Sequence, residues 1–259
     1  MFLGILIIAL MVSIALASAG NKCLRLGVYF GRQKFCGAKR SYFNGGGSHI
    51  KGAEPSLTNL QEVSMAYEAK NFDSLIGTDG FSKTLLQNHF KLYQGYVANT
   101  NKVTEELESL FKEGKTGSPA YGEISRRFGW EFNGMRLHEY YFGNMIKGGS
   151  SRDESSELFK KIGAGFGGFN AWEKDFRGKG GMRGIGWVVL YHDSIGKRLF
   201  NVWVNEHDMG HPAGAQPILV MDVFEHAFIT DYGLKKAEYI DAFFKAINWK
   251  EAAGRFRLA

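Results

Sequence analysis

The chain has 259 residues, 44% of them hydrophobic, with a formal net charge of +6, so it can bury a sizeable core in one or two domains. The charge is concentrated at the start. Residues 1–64 carry Lys22, Arg25, Arg32, Lys34, Lys39, Arg40 and Lys51 against Glu54 and Glu62, which leaves +1 from Met65 onward; this excludes a basic nucleic-acid footprint from the body, and with Cys23 and Cys36 both in the opening segment it excludes disulfide and thiol chemistry there too.

In chain order, the first nineteen residues form an apolar run ending in Ala17-Ser18-Ala19 with no Lys or Arg before it. The run reads as a secretory signal with an A-x-A-like cleavage site or as an anchor close to the roughly 20 residues that span a bilayer. Residues 20–64 lack periodicity and contain the linker-like Gly45-Gly46-Gly47-Ser48. Met65-Ala66-Tyr67-Glu68 makes a natural start, and the preceding Gln61-Glu62-Val63 can be encoded by codons that contain a bacterial ribosome-binding sequence. The expectation is translation from Met65 and a cytoplasmic protein; a genuine signal peptide would instead send it to the periplasm or outside the cell.

The body divides in two: a predicted helical hairpin domain over 65–148 and a mixed domain over 149–259, with Lys147–Asp153 as the junction. From Phe81-Ser82-Lys83 onward, Leu85, Leu86, His89, Tyr93, Tyr96 and Val97 fall on one helical face, continued by Val103, Leu107, Leu110 and Phe111. Gly114–Pro119 breaks the pattern, and a second helix is predicted from about Tyr121 to Met145. A helix near Ser155–Ile162 precedes the glycine-rich Gly163–Gly168, which follows no strand and so fails the dinucleotide-loop pattern; Lys112–Lys115 fails the P-loop pattern as well. A helix around Trp172–Phe176, strands over Gly186–Tyr191, Leu199–Val204 and Ile218–Met221, and a final helix over about Lys236–Ile247 complete an α+β reading: a three-stranded antiparallel sheet flanked by helices.

The apolar run Pro217–Met221 ends in Asp222-Val223-Phe224-Glu225-His226-Ala227-Phe228. At a strand-to-helix corner, a carboxylate and an imidazole four positions apart can converge, and that hard and borderline donor pair suits a first-row transition metal. The segment resembles the D-x-W-E-H-A-Y-Y motif of the iron/manganese superoxide dismutases, with Phe224 in place of Trp. The likeness extends from about Tyr67 to the end. His89, ahead of Tyr96-Val97, is similar to the family's first-ligand helix. His138, followed by Tyr141-Phe142, is similar to its second. Tyr239–Phe244 and Ile247-Asn248-Trp249 resemble the closing helix.

The resemblance implies a dismutase of superoxide with one iron or manganese ion per subunit, held by His89, His138, Asp222 and His226 at the junction of the two halves, together with a solvent molecule. It implies a solvent-holding role for His207, because the alternative position, four residues before His138, is Gly134. Tyr96 would be the gateway phenol, Trp187 a pocket wall, and Glu225 an interface acid in a homodimer, or a tetramer, with adjoining sites. Val189 and Phe224 stand where Trp is usual, implying a thinner aromatic cage, and Phe228-Ile229 replaces the paired Tyr, implying loss of a Tyr–His bridge. Lys235 and Lys236 lie where relatives carry basic residues that attract the anion. Neither nucleic acid nor a stable membrane contact of the body is implied. His49, His192 and His211 match no motif and are expected in loops. A non-haem iron oxygenase, or a metal-binding relative without turnover, stands as the alternative.

Overall fold

The computed structural model describes residues 66–259. The apolar opening run, Cys23, Cys36, His49 and the proposed start at Met65 lie outside the described residues.

Two long helices lead. Ser82 accepts a hydrogen bond from the Leu85 amide and opens α1, Lys83–Lys112, a single helix of 30 residues. Ser118 does the same for the Tyr121 amide, with Pro119 at the first helical position of α2, Pro119–Gly143. The apolar stripe of α1, from Leu85 to Val97, is buried, and it faces α2 residues Met135, Leu137, Tyr141 and Phe142, which share the same core. Burying such stripes supplies most of what keeps helices of this polarity folded.

Two helices connect this pair to the sheet: α3 (Glu157–Phe166) and α4 (Phe169–Gly180). Here the sequence reading stops a helix too early. α3 runs through Gly163 and Gly165 because Leu158, Phe159 and Ile162 bury its apolar face; Gly167, at φ 76°, ends it in the left-handed conformation.

The sheet has the order β2-β1-β3 with both pairings antiparallel: β1 Gly186–Asp193, β2 Arg198–Asn205 and β3 Gln216–Asp222. β1 is the central strand and is buried on both faces, which explains its continuous apolar text. The strand continues to Asp193, so His192 is a buried strand residue, not the loop residue expected. Asp193 Oδ1 accepts from the amides of Ile195 and Gly196, and that moves the turn one step later than expected. Gly186 sits at φ 148°, and a Cβ there would strike the Val204 carbonyl, so only glycine admits this close strand pairing.

β3 delivers the chain into a 3-10 turn, Glu225–Ala227, then α5 (Ile229–Tyr232), α6 (Lys236–Ala246) and α7 (Trp249–Leu258). His226 therefore lies in a tight turn and not at the start of a regular helix. The sequence reading did not include α7. Its signal was present: Asn248 accepts from the amide of Glu251 three residues on, the spacing of a helix start. Asn144, at the end of α2, ties the two halves together by accepting the Val220 amide with its side chain and the Asn248 amide with its carbonyl. Among the described residues no helix is long and apolar enough to cross a membrane.

Candidate metal centre

Four side chains from three parts of the chain converge. α1 supplies His89, α2 supplies His138, the last residue of β3 is Asp222, and the turn after it supplies His226; one donor atom from each lies within 4.8 Å of the others. Asp222 Oδ2 stands 3.1 Å from His226 Nε2, 3.2 Å from His89 Nε2 and 3.7 Å from His138 Nε2. His89, His138 and Asp222 are buried, whereas the side chain of His226 is 27% exposed.

The surroundings fix how each group is presented. His138 Nδ1 donates to the Gly134 carbonyl at 2.5 Å, one turn back on α2. That bond leaves His138 Nε2 with its lone pair toward Asp222, buried and with no hydrogen-bond partner. Burial lowers the pKa of His89 and pushes that of His138 well down, so both imidazoles are neutral near pH 7. For Asp222 burial acts in the opposite sense, but the positive ends of His226 and His89 beside it outweigh burial and hold the carboxyl below the usual range. Its other oxygen accepts the Phe224 amide at 2.9 Å, and Tyr239 donates its hydroxyl to the Asp222 carbonyl at 2.5 Å, with Tyr141 next in line at 3.2 Å. The set is thus three imidazole nitrogens and one carboxylate, each oriented by a hydrogen bond or by packing.

Beside the cluster, Trp187 donates its indole N–H to His207 Nδ1 at 3.1 Å. The proton of His207 is therefore on Nε2, which donates to the Tyr96 oxygen at 2.7 Å. His207 is buried in the loop between β2 and β3, and burial takes its pKa down to about 4. The Tyr96 phenol is pushed up to about 12, chiefly by burial. Both are neutral hydrogen-bonding groups at physiological pH. Tyr96 also stacks on His138, with centroids 5.3 Å apart. Its ring occupies the space that a side chain at residue 134 would need, since a Cβ there would lie 2.5 Å from Tyr96 Cδ1.

The cage around this group differs from the expected one. Phe224 stacks on His226 at 5.0 Å and on His207 at 4.7 Å, and Trp187 meets His138 edge-on at 5.0 Å. Trp130 adds a further aromatic wall, 4.9 Å from His207. Sequence reasoning missed Trp130 and gave Tyr239 no role; Trp130 had a signal in standing eight residues before His138, on the same helical face. Glu225 is exposed on the turn beside His226. His211, in a loop as expected, donates from Nε2 to the His207 carbonyl at 2.8 Å and accepts the Tyr191 hydroxyl at Nδ1 at 2.7 Å. Lys235 pairs with Glu238, and Lys236 donates to the Met182 carbonyl.

The comparisons with known proteins agree in one direction. The profile of the iron/manganese superoxide dismutases, C-terminal domain, matches residues 154–255. Manganese superoxide dismutase 2 of Haloferax volcanii is 35% identical over 177 residues, which is 68% of this chain and 87% of the relative. Iron superoxide dismutases of Aquifex pyrophilus (34% over 186 residues; 70% of this chain, 86% of the relative) and Cupriavidus metallidurans (35% over 186; 70% and 90%) are similarly related.

Proposed function

The chain belongs to the iron/manganese superoxide dismutases, and from that membership we propose that His89, His138, Asp222 and His226 hold its metal ion while Tyr96 and His207 serve the proton side of the reaction. The enzyme disproportionates superoxide to dioxygen and hydrogen peroxide, and it takes one iron or manganese ion per subunit.

The observation that carries the assignment is the convergence of three Nε2 atoms on Asp222 Oδ2. Donors bound to one first-row ion at about 2.0–2.2 Å stand roughly 3–4 Å apart, and the three distances from Asp222 Oδ2 to the histidine nitrogens, 3.1, 3.2 and 3.7 Å, fall in that range. The unpartnered, buried Nε2 of His138 is a costly feature that a metal ion would relieve. A set with one negative charge suits a divalent or trivalent ion. When bound, the ion supplies the one-electron redox chemistry, taking an electron from one superoxide and giving it to another.

What the chain supplies is orientation and protons. Peroxide formation needs two protons. Trp187, His207 and Tyr96 form a directed series in which each donates to the next, so the phenol's own proton points onward and is free to be donated. Trp187 and Phe224 line the same space with apolar surface and keep solvent from competing for it.

Glu225 supports a homodimer. It is exposed next to the one partly open histidine of the cluster, where a partner's His could donate to it and complete both sites.

Two measurements test the reading. Purified protein reconstituted with iron or with manganese should bind one ion per chain and consume superoxide with at least one of them; full occupancy without dismutation by either would sink it. Sedimentation velocity should give a dimer that Glu225→Ala weakens, and an unchanged dissociation constant would remove Glu225 from the interface.

A further inference from the structure

The solvent edge of the Tyr96–His207 pair carries a charged element that the metal scheme leaves unused. Arg127, Trp130 and Glu131 share one face of α2 by their spacing of three and four residues. The Trp130 ring meets His207 edge-on at 4.9 Å, and the Arg127 guanidinium lies over that ring, 5.4 Å from its centroid. Arg127 Nε and Nη2 both donate to Glu131 Oε1, at 2.7 and 2.6 Å.

The pair is oriented. The Glu131 side chain is 3% exposed and that of Arg127 is 56% exposed, so the negative end is sealed under the surface and the positive end faces solvent. Glu131 Oε2 is buried with no partner. A carboxylate left half-satisfied in the interior is expensive, and Arg127 is the cation beside it, so the guanidinium cannot leave freely. At His207 the Arg127 charge acts without a counterpart from Glu131, whereas at Tyr96 the Glu131 charge outweighs it, so the pair's attraction for an anion is centred on the exposed guanidinium and the His207 side of the edge. From Met65 on the chain carries only +1, so attraction of an anion must come from locally placed cations and not from the net charge. Lys235 and Lys236, the positions suggested by resemblance, are engaged with Glu238 and the Met182 carbonyl.

We propose that Arg127 is the residue that draws the superoxide anion to the Tyr96–His207 edge, with Glu131 as the positioning residue that fixes the guanidinium over Trp130. The proposal rests on the reading in which Tyr96 and His207 border the substrate's approach.

The test uses metal-loaded enzyme and pulse radiolysis, with kcat/KM followed against ionic strength. Arg127→Gln should be about threefold slower than wild type at low salt, with the two curves meeting by about 0.5 M ionic strength, where charges are screened within a few ångströms; kcat and metal content should not move. Arg127→Lys should recover most of the loss. Glu131→Gln should lower the low-salt rate in the wild-type background and cost nothing further in the Arg127→Gln background. Equal rates and equal salt slopes for wild type and Arg127→Gln would overturn the proposal and leave the dismutase reading intact. A second readout does not depend on turnover: the Trp130 part of the fluorescence, isolated by difference with Trp130→Phe, should be quenched less by iodide in Arg127→Gln, with acrylamide quenching unchanged. Iodide quenching that ignores Arg127 would also overturn it, even in protein that shows no dismutation.

Discussion

The donors on the two long helices and the donor on the turn after β3 are built in different ways. His89 and His138 lie within the aromatic packing between α1 and α2 and are closed off from solvent. His226 stands in a three-residue turn with its side chain 27% exposed, flanked by exposed Glu225 and by Ile229 at 48% exposure. The first flank is finished by this chain alone. The second leaves apolar and acidic surface open to solvent around a functional group. One donor set therefore combines core residues, whose loss is felt by the whole fold, with a residue whose loss is felt only by the ligand.

The sharpest way to break that contrast is to remove one histidine from each flank. His89→Ala and His226→Ala should both abolish metal retention and dismutation, read by metal analysis and superoxide decay. They should part in the metal-free protein. His89→Ala opens a cavity and should cost about 2–5 kcal/mol in denaturant unfolding, while His226→Ala should stay within about 0.5 kcal/mol of wild type. Equal losses would mean that the two flanks are equally structural. A smaller effect is expected at the groove between them: Gly134→Ala should displace the Tyr96 ring from His138, keep the metal and reduce kcat by about tenfold, less than the roughly 10²–10⁴-fold of a general acid because the phenol is moved and not removed. Wild-type kcat in that variant would remove Tyr96 placement from the mechanism. The mildest should be Tyr239→Phe, which deletes the bond to the Asp222 carbonyl and should lower stability by about 1 kcal/mol with the metal site still filled. No change in the unfolding midpoint would show that this clamp carries no load.

The same contrast explains what was legible in the sequence. Asp222 and His226 could be read because local spacing places them together, and the long helices because their apolar stripes are unbroken. The three strands were found but drawn short, since the polar ends of a strand carry no periodic signal; His192 was misplaced for that reason. α3 was cut at Gly163 because glycine marks a break only when no buried face carries the helix past it. Tyr239 has a role set by its tertiary contact with Asp222, which no spacing in the chain announces, and the spacing of Trp130 from His138 places it near the site without showing its contact with His207. Arg127 and Glu131 carry no mark in the sequence beyond their spacing of four, and only the burial of one and the exposure of the other sets the pair apart.

Tyr239 has a consequence for the order in which this protein is made. The helix that bears it lies after every donor, and its hydroxyl holds the carbonyl of the one anionic donor. During synthesis His89 and His138 leave the ribosome first, and Asp222 emerges far behind. The backbone of the anionic donor thus gains this clamp only once the Lys236–Ala246 helix has docked, so the closing part of the chain fixes in place a residue of the site that the opening helices began.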